Sequence, residues 1–438
     1  MSETRQHDSG SNSRRDFLKH SSMAVGAAVG SGLVIPRGVH AQGAGSETLK
    51  IGLVGCGGRG TGAAANALSA DSNCKLVAMG DAFADRLEMC RRRLSRQYDG
   101  DERFAVDEER CFAGFDAYKQ VIDSGVDVVL LCTPPHFRPE HYRYAVEAGK
   151  HLFVEKPVAV DAPGVRSVME TNELAKEKGL AVVSGLCWRY DLGVRETMRQ
   201  ILEEKLIGDV VSIQSDYLAS QLWHRGDKPD WSRMEFQMRN WLYFTWLSGD
   251  HNTEQHVHSL DKIMWLMGDT PPVRASGMGG RIQRTDPKFG NIYDHFAVTY
   301  EFENGVHAHS RCRQQDGTDT HVDEYVTGTK GFAEILAKEI RTQDGSTWTY
   351  TGPSPNMYDV EHVELFASIR RGEPIHNGDY MAKSTMLAIM GRMVAYTGQS
   401  LTWDECLAST ERLGPTVYEW SDNVPESVVA VPGRTKFV

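Results

Sequence analysis

Gly55-Cys56-Gly57-Gly58-Arg59-Gly60, directly after the apolar run Leu49–Val54, is a glycine-rich turn of the kind that can cradle a phosphate. Three spaced glycines there have separate tasks: a tight turn at Gly55, close approach of backbone to a pyrophosphate at Gly57, and close helix–strand packing at Gly60. With Gly58 and Arg59 they open an Ala-rich helix whose first N–H groups and positive dipole end suit phosphate. A second apolar run, Lys75–Met79, leads to Asp81, about twenty residues beyond the last glycine, the spacing at which an acid reads a ribose 2′-hydroxyl. A carboxylate there repels a 2′-phosphate, so NAD is expected over NADP. Thr133-Pro134-Pro135-His136 and Glu155-Lys156-Pro157 each follow a later apolar run, where ligands of open α/β sheets bind.

The elements that must position these groups follow an alternating rhythm. Helical patterns at 115–124, 139–148 and 163–178 alternate with strand-like runs at 127–132, 151–154 and 180–184. That rhythm predicts a doubly wound parallel sheet. Tyr98–Cys111, rich in charge, reads as an exposed insertion. Further strand-like runs at 210–217, 273–282, 292–302, 307–313 and 322–327 predict a second sheet. Two late helices, 360–371 and 380–397, end at Gly372 and Gly398, which fit C-terminal caps. The fold class is therefore α/β, with an N-terminal Rossmann sheet over 48–187 and a second α/β domain with a large, mostly antiparallel sheet over 188–438.

The order Gly55–Gly60, Thr133-Pro134, Ala148-Gly149-Lys150-His151, Glu155-Lys156-Pro157 and Ile207-Gly208-Asp209 resembles the Gfo/Idh/MocA family (glucose–fructose oxidoreductase, inositol dehydrogenase, rhizopine catabolism) over essentially the whole chain after the leader. The run Trp241–Asp269 resembles an exported, twin-arginine subgroup. The resemblance implies a reactive cleft between the two domains, with Lys156 touching both nicotinamide ribose and substrate hydroxyl. In a partly desolvated cleft its pKa is expected to be lowered. The family's Asp-x-x-x-His maps onto Glu254 and His258, with glutamate for aspartate. The resemblance makes His258 the general base and Glu254 its orienter or a substrate ligand, and the four-residue spacing places both on one helical face. Thr133, Pro134, His136, Glu155 and Lys156 join the glycine turn and Asp81 as expected cofactor residues.

If the helix begins by Asp250, His251 shares the face of Glu254 and His258, a set that could hold a divalent cation. No metal is assigned on that ground, because His251 could equally cap or pack and His256 could be a satisfied core histidine. Arg189 and Tyr190 follow the last Rossmann strand, and His224 lies in an aromatic-rich stretch. These three are the expected substrate-reading residues, although aromatics also fill ordinary cores.

A chain of 438 residues with 40% hydrophobic and 24% charged residues is an ordinary globular composition that calls for more than one domain. A formal charge of −11 disfavours nucleic acid as a partner. None of the 8 cysteines falls in a CxxC pair, so no zinc knuckle or redox dithiol is expected. Ser13-Arg14-Arg15-Asp16-Phe17-Leu18-Lys19, the apolar 23–35 stretch and Val39-His40-Ala41 have the order of a twin-arginine signal peptide over 1–41. Periplasmic localisation is expected, with no membrane span in the mature form and a homo-oligomeric assembly. A dinucleotide enzyme outside the cytoplasm should hold its cofactor tightly. The expected function is an NAD(H)-dependent oxidoreductase acting on a sugar, polyol or glycoside hydroxyl. Two alternatives stand beside it: an NAD-dependent glycosidase working by transient oxidation and elimination, and a cofactor-stabilised sugar-binding or sensing protein.

Overall fold

The computed structural model describes residues 47–438; the signal peptide expected over 1–41 lies outside the described residues. Six strands, β1 (Leu49–Val54), β2 (Cys74–Asp81), β3 (Cys111–Ala113), β4 (Val128–Leu131), β5 (His151–Val154) and β6 (Val182–Ser184), form one sheet in the order β3-β2-β1-β4-β5-β6. Every pairing in it is parallel. Chain order reverses between β1 and β4, so a crevice opens at their carboxyl ends. β3 begins at Cys111, the last residue of the stretch read as an exposed insertion. Two backbone hydrogen bonds fasten that stretch to β2, Leu76 N–H to Arg103 O (2.9 Å) and Ala105 N–H to Leu76 O (2.9 Å). Partly buried Phe104 packs into the core beside them.

Nine strands form the second sheet: β7 (Val210–Ala219), β8 (Arg274–Gly280), β9 (His295–Glu301), β10 (His307–Gln314), β11 (His321–Gly328), β12 (Gly331–Glu334), β13 (Glu339–Thr342), β14 (Thr347–Thr349) and β15 (Leu401–Thr402). Their order is β14-β13-β12-β11-β7-β10-β9-β8-β15, antiparallel throughout except between β7 and β10. One face is covered by the helices Val257–Leu266 and Gly378–Thr397. On the other, alternate residues such as His307, His309, Arg311 and Met278 are exposed.

Two late helices join the sheets. Met357–Arg371 packs on the glycine-turn helix Gly58–Ala70, and its Val360, Leu365 and Phe366 share a core with Ile51 and Leu53. Burial of each such side chain stabilises by about 1.5–3 kcal/mol. Gly378–Thr397 is buried on nearly every face, between the helix Ala162–Glu177 and β8. Both end at glycines in the left-handed region, Gly372 (φ 69°) and Gly398 (φ 71°), as their cap positions require. No helix among the described residues is long and apolar enough to cross a membrane.

Candidate active site

The glycine turn lies at the switch point, and its glycines divide their tasks as the spacing predicts. Gly55 has φ +97°, and a Cβ there would stand 2.6 Å from the Cys132 carbonyl carbon. A Cβ on Gly60 would fall 1.8 Å from Gly55 O, so only glycine permits this contact between helix and strand. Gly57 and Gly58 would carry a Cβ into open space, leaving backbone N–H groups accessible at the start of the helix Gly58–Ala70.

These glycines line a cavity of about 360 Å³ together with Arg59, Asp81, Thr133 and Pro134. Asp81 closes the turn from below: one carboxylate oxygen accepts the Cys56 N–H at 2.6 Å and the other accepts Phe83 N–H at 2.9 Å. Burial raises its pKa, against the lowering effect of those two N–H groups. Each oxygen keeps a second lone pair for a ribose hydroxyl. Open N–H groups, a glycine cradle and a carboxylate at the end of β2 fit a dinucleotide.

Other expected cofactor residues are placed differently. The Arg59 guanidinium pairs with Glu155, donates to Glu361 Oε1 at 2.7 Å and stacks 4.7 Å from the Tyr358 ring. Burial opposes its charge, but the two carboxylates outweigh burial and hold it cationic. Arg59 and Glu155 thus lock the turn, the Glu-Lys-Pro segment and the helix Met357–Arg371 together, and neither presents a free charge to phosphate. His136 does not line the cavity; its Nε2 shares a 2.7 Å hydrogen bond with the Tyr418 hydroxyl.

Lys156 follows β5, and its Nζ donates to the Glu254 backbone oxygen at 2.6 Å and to Glu254 Oε1 at 3.2 Å. Their side chains are only 14% and 16% exposed. Burial lowers the lysine pKa, yet Glu254 and Glu155 outweigh it and the net shift is upward. That reverses the lowered value expected from desolvation alone. His258 follows Glu254 in the chain. Burial, then the cations Lys156, Lys262 and Arg59, hold its pKa well below the ordinary value, so its imidazole is neutral. An ammonium can stabilise negative charge on an oxygen, and a neutral imidazole can accept a proton.

The helix carrying them is broken. His251–Glu254 and Val257–Leu266 are separate segments, preceded by Gly249 (φ 74°) and Asp250 (φ 73°). Buried Asp250 fixes this corner by accepting from His251 N–H (2.5 Å), His251 Nδ1 (2.9 Å), Tyr293 N–H (2.8 Å) and the Tyr396 hydroxyl (2.5 Å). With His251 held by Asp250 and Glu254 by Lys156, the three-ligand set of His251, Glu254 and His258 is not assembled. Among the described residues no His/Cys/Asp/Glu group is placed to hold a metal ion. His256 is a core histidine, its Nε2 2.6 Å from Ser310 Oγ.

The three expected substrate residues are structural. Arg189 is bidentate on Asp261 (2.9 and 3.0 Å), reaches Asp269 at 2.6 Å, and stacks 3.9 Å from the Tyr380 ring. Tyr190 is 2% exposed and donates to Asn377 Oδ1 at 2.6 Å. Both His224 nitrogens are engaged, Nε2 with Lys288 O at 3.1 Å and Nδ1 with Gly226 N–H at 3.0 Å. A residue missed in the sequence feels the charges of Lys156 and Glu254: Tyr217 of β7, whose pKa is raised by burial, lowered by Lys156 and raised by Glu254. Only strand pairing brings it near them. Asp250 figures in the sequence only as a possible helix start; its three partner residues, His251, Tyr293 and Tyr396, were not foreseen.

Residues 49–186 match the oxidoreductase family with an NAD-binding Rossmann fold, and residues 196–334 match the GFO/IDH/MocA C-terminal domain. The 2,7-anhydro-N-acetylneuraminate hydratase of Escherichia coli (strain K12) is 26% identical over 214 residues, 49% of this chain and 52% of the hydratase. The chain therefore spans about half the length of that relative. Inositol 2-dehydrogenase of Rhizobium meliloti (strain 1021) is 25% identical over 329 residues, 73% of this chain and 86% of that protein. The crystal structure of aldose-aldose oxidoreductase from Caulobacter crescentus, complexed with glycerol, shares the fold with a TM-score of 0.62 at 19% identity, covering 81% of this chain and 100% of that one. With both halves matched and the glycine turn built for a dinucleotide, the chain belongs to the GFO/IDH/MocA family of oxidoreductases with an NAD-binding Rossmann fold.

Proposed function

We propose that this chain is an exported NAD(H)-dependent oxidoreductase acting on a CH–OH group of a sugar, polyol or glycoside, with its cofactor tightly held. The observation that carries the reading is the Lys156–Glu254 contact beside a neutral His258, at the carboxyl edge of the sheet that bears the glycine turn. NAD, when bound, accepts hydride from the carbinol carbon. The chain's own residues do the rest: Lys156 orients and polarises the oxygen, His258 takes its proton, and Glu254 holds Lys156 charged. The inositol dehydrogenase relative supports a carbinol substrate. The hydratase relative supports a redox-neutral variant, in which transient oxidation assists elimination and the hydride returns.

Export and a periplasmic location rest on the Ser13–Lys19 motif and the small-residue pattern at 39–41. A homo-oligomer joined through the exposed face of the nine-stranded sheet fits the rows of outward side chains on β8 and β10. The test is to mix purified protein with polyols, anhydro-sugars and glycosides, follow reduced-nicotinamide absorbance, and analyse the sugar product. A carbinol substrate should reduce the bound nicotinamide in the wild type and not in Lys156→Ala. Net oxidation of the product marks the oxidoreductase, and an unoxidised, cleaved or hydrated product marks the redox-neutral variant. If all three classes bind and none changes the nicotinamide, the proposal fails in favour of a binding or sensing role.

A further inference from the structure

The dinucleotide cavity is walled from two sides. The Rossmann sheet supplies Asp81, Phe83 and Phe115, at the ends of β2 and β3 where the adenosine half of a dinucleotide lies. The opposite wall comes from far along the chain, with Trp223, Arg225, Arg239 and Trp241. The glycine-turn fingerprint does not supply such a wall.

That wall is fastened across the cavity mouth. Arg239 donates from both terminal nitrogens to Asp85 at 3.0 and 3.1 Å, and its guanidinium lies 4.1 Å from the Phe83 ring centre. A third segment, near the carboxyl terminus, packs against two of the cavity's lining rings, Phe83 and Phe115. Trp420 stands 5.0 Å from Phe83 and 4.5 Å from Phe115, Tyr418 stands 5.6 Å from Phe115, and the Tyr418 hydroxyl meets His136. The wall segment and this one are tied to each other: Met234 N–H donates to Ser421 O at 3.1 Å and Arg233 N–H to Asp422 Oδ1 at 2.8 Å. His136, expected to touch cofactor, instead anchors this third segment.

We propose that residues 222–241 and 418–422 form the second half of the adenosine subsite, a two-layer strap closed over the cofactor by Asp85–Arg239 and by Trp420 between Phe83 and Phe115. A dinucleotide beneath it leaves only when both layers lift. The inference rests on the reading of the glycine turn as an NAD site. It deepens that reading by naming the device that makes NAD a resident group, one that must be reset in place by a second substrate or by return of the hydride.

The experiment loads purified protein with NADH, chases with excess NAD, and follows loss of bound-NADH fluorescence in wild type, Asp85→Asn, Trp420→Ala and the double variant. Far-UV circular dichroism and thermal unfolding establish folding of each. The double variant loses the Trp420 ring contacts and the Asp85–Arg239 ion pair together, so release should quicken by on the order of 10- to 100-fold. AMP should bind more weakly to the variants, while nicotinamide mononucleotide binds unchanged. Folded variants that release NADH at the wild-type rate would overturn the strap. So would rapid release from the wild type. If denatured wild type releases no NAD(H) and the folded protein binds neither NADH nor AMP, the NAD-site reading itself has failed, a distinct result. Should the double variant not fold, the exposed Asp85→Asn carries the same comparison alone.

Discussion

Replacing Glu254 by glutamine removes the charge that holds Lys156 protonated while leaving the backbone oxygen 2.6 Å from Nζ. In the wild type, burial pushes the lysine pKa down and Glu254 and Glu155 more than restore it. At 3.2 Å and an effective dielectric of about 20, the lost attraction is roughly 5 kcal/mol before compensation by solvent and neighbours. An opposite charge this close is worth about 1–3 pKa units in practice. Glu155 remains, so the fall should lie inside that range. The assay is the pH dependence of single-turnover reduction of the bound nicotinamide by a saturating substrate. If the ammonium is the working form, the wild-type rate should hold beyond the ordinary lysine range, and the alkaline limb of Glu254→Gln should lie at lower pH than that of the wild type. Thermal unfolding at neutral pH controls for folding. A limb that stays in place or moves up would refute the assignment of Lys156 as an ammonium held by Glu254.

Other expectations follow from the same contacts. Gly60→Ala would drive a Cβ into Gly55 O, so the turn must open, and NAD affinity measured by calorimetry should fall at least tenfold (about 1.4 kcal/mol). Arg189→Ala leaves Asp261, 1% exposed in its side chain, without its buried partner; unfolding in denaturant should show a loss of about 3–5 kcal/mol. His141, His256 and His362 are buried, and burial lowers each pKa to about 3. Below the unfolded value of about 6.5, the unfolded chain binds protons there that the folded chain does not. Their contribution to stability is therefore complete above about pH 6.5 and is lost as pH falls, at up to about 4 kcal/mol per pH unit for the three together. Denaturant titrations between pH 7 and pH 4.5 check that sign.

Much of the fold was legible because β1, β4 and β5 are nearly continuous apolar runs and the two late helices end on Gly372 and Gly398. β3 was not: Cys111-Phe112-Ala113 is three residues in a charged stretch, and only its parallel pairing with β2 makes it a strand. β12, β13 and β14 are short and were overlooked for the same reason. The glycine turn and Asp81 were readable because their task is local backbone geometry. Charge states were not readable, since they depend on partners distant in sequence. Lys156 meets its carboxylate 98 residues later and Arg189 meets Asp261 72 residues later. The first pairing reversed an expected pKa shift, and the second turned an expected substrate ligand into a buried strut. The His251–Glu254–His258 set failed because periodicity assumes one helix, and the chain breaks it at 255–256.

The most direct test of hydride transfer at this site follows the atom itself. A carbinol substrate found by the nicotinamide screen would be supplied with deuterium on its oxidisable carbon, and the bound cofactor recovered by denaturation after one turnover. Hydride transfer at this site places deuterium on the nicotinamide ring of NAD(H) from the wild type and none on that from Lys156→Ala. Deuterium released to water with an unlabelled nicotinamide would contradict it.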